Sequence, residues 1–531
     1  MRQPRLLGIV LTASAIVASA CGSSASSAAG ASQKLAPGGT MTIGIPADPG
    51  NLDPQKTVLS VDNQAAQLAY DPLVQASASG GLVSGLASTW QLSGNSVTFT
   101  LKKGVTCADG SPVTPALVAA NVAFIANPKN TSPLLGVALP PGTTAIAGTG
   151  PDTVTLSWPK PFPFVLQSMT GMPIVCPKGL ANRGTLAHGT EGTGPYVLTQ
   201  AVPGTQYTYA VRRGYTWGPA GAATSAAGMP AKVVLKVITN ESTAANLLLA
   251  GQVNVAGVIG PDRTRLAAAH LFSRSELTNL GEMEFNEAPG RPAADENVRR
   301  ALTMALDLSQ LKKVMTSGNG AAPTGLVSLT PKPCQANTVQ GNVPGHDLAA
   351  AQQLLTQAGW TPGPGGVRVR DGKKLTLSFL VPSSEGTPVS DAAQLAVSEW
   401  QKLGVQVTTQ SITDTQLSAV LFGTGAWDVG WVPFTIQLPS TIMPFLSGPP
   451  PPAGTNFGHI ANTAYTQLAT AAAALPGTTG CQDWNKAEEA LFTNADLVLF
   501  AAQTVPVWAS HATFQLNASG PIPTSLRLTS H

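Results

Sequence analysis

Residues 96–117, SVTFTLKKGVTCADGSPVTPAL, constrain the fold more than any other stretch of the chain. Val97, Phe99 and Leu101 alternate with Thr98, Thr100 and Lys102, the period of two that a half-buried strand requires because successive side chains point to opposite faces. Asp109-Gly110 supplies residues that tolerate positive φ, so a turn follows. Thr114 can cap a helix with its hydroxyl, and Pro115 can occupy the first turn, where its missing N–H leaves nothing unpaired. Strand, turn and helix in close succession are predicted. A chain of 531 residues has room for several such blocks arranged in lobes.

Charged residues make up 11% of the chain, against about 25% in an average soluble protein. Its 54 glycines and 44 prolines indicate many loops without reaching a disordered composition. The net charge of +3 is spread thinly with no long basic run, which gives a nucleic-acid surface no support.

At the amino terminus, Arg2 and Arg5 precede the apolar residues 6–18, too short for a membrane span but the length of a secretory signal core. Ala18-Ser19-Ala20-Cys21 resembles a bacterial lipobox, with alanine or valine where leucine is commonest. This predicts a signal peptide over residues 1–20, lipid attachment at Cys21 and a flexible Ser/Ala/Gly leash over 21–35, with ordinary cleavage after Ala20 as the alternative. The protein is then expected to be exported and held by its lipid at the outer face of the cytoplasmic membrane. No later run has the eighteen or so apolar residues of a transmembrane helix.

Further strands are expected at 40–45, 154–158 and 233–237, the last followed by a helix capped by Ser242 and a strand through Val253 and Val255, a βαβ unit. Asp295 should cap a helix whose buried face carries Val298, Ala301, Leu302, Ala305 and Leu306, and Asp307 with Gln310 reads as a capping box. Asp347 starts a helix that Gly359 stops. A second βαβ unit runs through Leu375, Leu377, Phe379 and Val381, a helix over 391–403, and Val405 and Val407. Residues 448–454, GPPPPAG, read as a polyproline connector, and 487–499 as a closing helix.

About ten of these segments stand in the order found in extracytoplasmic solute-binding proteins of the peptide and nickel class of ABC importers, family 5, which the chain resembles over residues 38–508. The matching wording includes Leu86-Ala87-Ser88-Thr89-Trp90 leading into 97–114, with Cys107 where an aromatic is usual. It also includes Asp48-Pro49-Gly50-Asn51-Leu52-Asp53-Pro54, Tyr70-Asp71-Pro72-Leu73-Val74, Gly192-Thr193-Gly194-Pro195-Tyr196, Arg212 to Gly218, Val298-Arg299-Arg300-Ala301-Leu302, Ala358-Gly359-Trp360, Leu403-Gly404-Val405, Gly430-Trp431 and Val505 to Trp508. Asn254 replaces the family's usual aspartate. The glycines at 192 and 194 are no phosphate cradle, because neither Gly-Lys-Ser nor a helix start follows.

The resemblance implies an α/β, two-lobe periplasmic-binding-protein-like fold with hinged lobes. A large first lobe with an extra subdomain is placed at 36–283, a second lobe at 284–499, and a return to the first at 500–531. It places ligand contacts at Trp431, Phe434 and Asn286 and at the cleft-mouth residues Asp48 and Asn51; Tyr70 is read as core. Dipeptide-binding members carry an aspartate three residues after the tryptophan, where this chain has Phe434. A buried ammonium without a partner costs several kcal/mol, so an apolar, aromatic or neutral solute, or a peptide whose amine stays in water, is expected in place of a short peptide with a buried charged amino terminus.

Four cysteines follow Cys21, an even number that in an exported chain reads as two disulfides. Of three possible pairings, Cys107 with Cys176 and Cys334 with Cys481 is expected, since the first two fall in one predicted lobe and the others lie far from it. A zinc site lacks any Cys-x-x-Cys or close His pair. His188, His270, His346, His459, His511 and His531 are scattered, so neither metal nor cofactor is expected. The expected partners are the solute, an ABC permease with its ATPase subunits, and the membrane through the lipid; the chain itself is read as a monomer. An exported hydrolase is the competing class, but Gly-x-Ser-x-Gly and His-Glu-x-x-His are both absent. A sensor or scaffold with the same fold and no permease is the third.

Overall fold

The structure is a computed structural model that describes residues 34–36, 38–148, 150, 152–329, 332–434 and 436–530. The signal, lipid and leash expectations over 1–33 lie outside the described residues, as does His531. Residues 35–531 form one unit.

Eleven strands build its large sheet, numbered here in chain order: β1 (Thr40–Ile45), β2 (Tyr196–Val202), β3 (Gln206–Val211), β4 (Lys232–Val237), β5 (Val255–Gly257), β6 (Phe272–Phe285), β7 (Gly320–Ala321), β8 (Thr376–Pro382), β9 (Gln406–Ile412), β10 (Val429–Trp431) and β11 (Leu497–Ala509). Their spatial order is β9-β8-β10-β6-β11-β5-β1-β4-β3-β2, with β7 paired to β11. Two lobes share this sheet. In the first, β4 and β5 flank β1 in parallel, so the helix Glu241–Leu249 crosses over β1. In the second, β8 and β9 pair in parallel around the helix Thr387–Lys402.

The antiparallel pair β6 and β11 joins the two. Phe272 lies opposite Ala509 at one end, beside β5, and Glu284 opposite Leu497 at the other, beside β10. Their register breaks between Asn279 and Glu282. Gly281 stands in the break because a Cβ there would come within 2.6 Å of the Ala501 Cβ and 2.7 Å of the Phe500 ring. A register break at a glycine concentrates local twist in the strand pair, while Leu280 beside it stays buried in the second-lobe core. The lobe boundaries expected at 283/284 and 499/500 fall within these two strands, a few residues from the break.

The extra subdomain is a four-stranded antiparallel sheet ordered Ala87–Ser93, Ser96–Leu101, Thr153–Ser157, Thr144–Ala147. Val97, Phe99 and Leu101 are buried as their alternation requires, and pack with Val118 and Val122 of the helix Pro115–Ala126. Thr114 Oγ1 caps that helix by accepting the Leu117 N–H at 3.2 Å. Cys107 is disulfide-bonded to Cys176, which ties the turn to the segment behind it, and Cys334 is bonded to Cys481. The subdomain also meets the second lobe: Phe164 packs among Leu326, Ile442 and Trp484.

Asp295, Asp307 and Asp347 each accept backbone N–H groups at the starts of their helices. Four local expectations are corrected. Asn240, not Ser242, caps its helix, because the Ser242 hydroxyl donates to Asp262 at 2.6 Å. The helix expected over 391–403 begins at Thr387, with Pro388 in its first turn after Gly386. The proline run closes as a turn, with the Ala453 and Gly454 N–H groups donating to Pro450 and a cis bond at Pro451-Pro452. The closing helix is Cys481–Thr493, and Ala495 at φ 49° turns the chain into β11, so residues 497–499 are strand; the apolar run Leu497 to Ala502 is buried on both faces and reads equally well as either element.

Candidate ligand-binding site

The loop after β1 is held rigid by its own side chains. Asp48 accepts from the Gly50 N–H at 2.7 Å, from the Tyr207 hydroxyl at 2.9 Å and from the Gly204 N–H. Burial works against its ionisation, but these donors hold its carboxyl below the usual range. Asn51 Oδ1 accepts the Asp53 N–H, and Asp53 takes both arms of Arg183 at 2.6 and 2.8 Å. Asp48 and Asn51 therefore shape this loop with the groups that were expected to meet ligand.

Three of the resembling segments converge on Asp71. Its buried carboxylate accepts from the Tyr215 hydroxyl (3.0 Å), the Trp217 indole (3.2 Å), the Thr193 hydroxyl (3.0 Å) and the Gln75 amide (3.2 Å). Burial nevertheless raises its pKa, and the donors counter that. Gly192 and Gly194 press against residues 68–70, where a Cβ at either would approach backbone atoms to 2.3–2.7 Å. Tyr70 is core, and its hydroxyl accepts the Glu191 N–H at 3.1 Å. These segments hold the first lobe together.

In the second lobe the faces of β10 divide the candidates. Val429 and Trp431 point into the core, where Trp431 is fully buried between Phe379 and Phe500 with ring centroids at 5.2 and 5.5 Å. The expected cleft position of Trp431 is thus replaced by a core one, since period two puts it on the same face as Val429. Asn286 is also buried, with its amide donating to Trp427 O at 3.0 Å and Gly425 O at 3.3 Å and its oxygen accepting from Ala288 N–H. It shapes the bend after β6, and its polar groups are engaged within the protein.

The opposite face of β10 carries Gly430, opposite Glu284 of β6. Over this face lies an aromatic group. Phe434 stacks on Phe457 at 6.0 Å and meets Phe445 at 5.6 Å, Phe422 stands edge-on to Phe457 at 5.6 Å, and Trp427 lies 5.9 Å from Phe457. Phe422 is 39% exposed, so the group opens to solvent at that edge. Beneath it are two buried carboxyls. Glu282 Oε2 accepts the Phe434 N–H at 2.9 Å, while its other oxygen and both oxygens of Glu284 meet no donor from another residue and the two carboxyls interact with each other. Burial pushes Glu282 up to about 8, and burial with the neighbouring Glu282 raises Glu284 well above the carboxylate range. Burial therefore works against negative charge on both carboxyls, and the wall they share disfavours ionisation.

Of the expected ligand residues, only Phe434 belongs to this group. Phe422, Phe445 and Phe457 escaped sequence reasoning because they come from three separate elements, the helical turn Val420–Thr424, the helix Pro439–Leu446 and a loop, with no common period. Glu282 and Glu284 carried a signal, alternating with Met283 and Phe285. Among the described residues, no group of three or more His, Cys, Asp or Glu could hold a metal ion, and no helix is long and apolar enough to cross a membrane.

A family model described as bacterial extracellular solute-binding proteins, family 5 middle, matches residues 81–451. Protein XP55 of Streptomyces lividans is 27% identical over 428 residues, which cover 76% of this chain and 73% of that protein. The periplasmic murein peptide-binding protein MppA of Escherichia coli K12 is 26% identical over 490 residues, 85% of each chain. Among solved structures, a substrate-binding protein from Microbacterium hydrocarbonoxydans complexed with 4-hydroxybenzoate hydrazide aligns with a TM-score of 0.68 at 26% identity, covering 92% of this chain and all of that one.

Proposed function

The chain belongs to the family 5 extracellular solute-binding proteins of peptide and nickel ABC importers, and from that premise we propose that it captures a peptide-like or other small, largely apolar solute between its lobes and delivers it to an ABC permease. The family is one of binding proteins, not enzymes. The observation that carries the solute class is the aromatic group Phe422, Phe434, Phe445 and Phe457 over a wall whose two buried carboxyls are pushed toward their neutral forms. Such a surface favours a flat or aliphatic moiety and offers no fixed charge to an ammonium. The relative crystallised with 4-hydroxybenzoate hydrazide supports an aromatic solute, and the murein peptide-binding relative a peptide. The segment 1–21 supports attachment through a lipid on Cys21, with one copy of the chain presenting solute to the permease.

Calorimetric titration with 4-hydroxybenzoate hydrazide and with apolar and charged tripeptides tests this. The aromatic or apolar ligand is expected to bind, and Phe434→Ala to weaken it by about 2 kcal/mol, roughly 30-fold. Binding confined to charged-terminus peptides and indifferent to Phe434→Ala would overturn the assignment.

A further inference from the structure

One aromatic side chain of the first lobe is buried in a core of the second. Phe164 stands in the segment Pro161-Phe162-Pro163-Phe164-Val165 of the extra subdomain. Val165 and Met169 are buried in the subdomain's own core, with Phe162 and Leu166 packed against it. Phe164 instead joins a cluster whose other members all lie between Leu326 and Leu499, and it is fully buried there. Its ring centroid is 6.3 Å from that of Trp484.

The backbone is bent to allow this. Phe164 has φ 56° and ψ 28°, the left-handed region that a bulky side chain rarely occupies. Such a conformation persists only where the surrounding contacts hold it in place. Pro161 and Pro163 fix their own φ and stiffen the approach, and Phe164 O accepts the Ser168 N–H at 2.8 Å, so the ring is presented on a rigid turn. Next to this turn the two lobes fit loosely. A gap of about 80 Å3 is lined by Trp158, Phe162 and Val165 on one side and by Ala474, Leu475 and Pro476 of the second lobe on the other. Walls across unfilled space forfeit their dispersion contacts, so the seam holds through Phe164 more than through its surroundings.

The socket also bears on the aromatic group. Ile442 and Leu446 belong to the socket, while Phe445 of the same helix, Pro439–Leu446, meets Phe434. We propose that Phe164 is a latch between the lobes. Seated in its socket it holds the closed form, which the protein populates in part before solute arrives, and it withdraws when the lobes part. Solute and latch then favour the same form, so removing the latch weakens solute binding without removing a solute contact. That coupling rests on the aromatic group being the solute site; the latch itself does not.

The test is small-angle scattering without solute on wild type, Phe164→Gly and Phe164→Leu, with circular dichroism to check that each variant folds. Glycine removes the ring and accepts the left-handed backbone without strain, so the subdomain should keep its fold. The radius of gyration of Phe164→Gly should exceed that of wild type, and Phe164→Leu, which keeps an apolar side chain, should fall between them. Saturating 4-hydroxybenzoate hydrazide should bring all three to one radius, with Phe164→Gly binding it about tenfold more weakly. A folded Phe164→Gly with the wild-type radius, or a Phe164→Gly that fails to fold because Phe164 is a fixed part of the core, would each overturn the latch. Failure of the wild type to bind the hydrazide would count against the aromatic-solute reading, and the radius without solute would still decide the latch.

Discussion

Glu282→Gln is expected to stabilise the protein, and to do so more as pH rises. The carboxyl ionises at 4.5 when exposed and is pushed up to about 8 by burial in the fold. The unfolded chain therefore releases this proton at a pH where the folded chain still holds it. Folding stability falls as pH rises through that window, from about 4.5 to about 8. At 1.36 kcal/mol per unit, the penalty to the folded state is well under 1 kcal/mol at pH 4.5 and about 3 kcal/mol at pH 7. Glutamine keeps an acceptor for the Phe434 N–H and has no proton to lose, so it removes the penalty with little change in shape. Glu488 remains in both proteins, and removing Glu282 also takes away one of the causes that raise Glu284, which adds to the variant's advantage in the same direction. Urea melts of wild type and variant at a series of pH values read the difference directly. The variant's advantage should grow by about 3 kcal/mol between pH 4.5 and pH 7. An advantage independent of pH, or one that grows toward acid, would refute the claim that Glu282 is buried and neutral.

Gly281→Val places branched atoms against Ala501 and Phe500, and should destabilise by roughly 1–3 kcal/mol or more in thermal melts; a neutral effect would mean that the strand pair is looser than described. Cys334→Ser with Cys481→Ser opens a link between residues 147 apart and should cost roughly 2–5 kcal/mol by denaturant titration. Asp71→Ala leaves the Tyr215, Trp217 and Thr193 donors unanswered in the core, and a loss of about 3 kcal/mol or more is expected. Trp431→Ala should cost about 3–5 kcal/mol in stability. Its isolated effect on ligand affinity in a still-folded protein would return that residue to the cleft.

Much of the fold was legible because it is written locally. Val97, Phe99 and Leu101 alternate because one face of a strand is buried, and Asp295, Asp307 and Asp347 cap because orphan N–H groups at a helix start need acceptors. The lengths of β6 and β11 were not legible, since the pairing of Phe272 with Ala509 spans most of the second lobe and leaves no short-range pattern. Ligand residues were harder still. A motif fixes that Asp71, Gly192 and Tyr215 come together, but the donors around Asp71 show that their meeting is structural. Trp431 had the right residue type and the wrong face, which only its pairing with Phe379 and Phe500 decides. The ring cluster around Phe434 draws on two helices and two loops that share no periodicity, so it exists only once the chain has folded.

Small-angle scattering of the protein with and without saturating solute tests most directly whether the β6 and β11 crossing is a hinge between lobes that close on cargo. The radius of gyration is predicted to fall on binding, and Gly281→Val to blunt the fall. A radius unchanged at saturation would contradict the account.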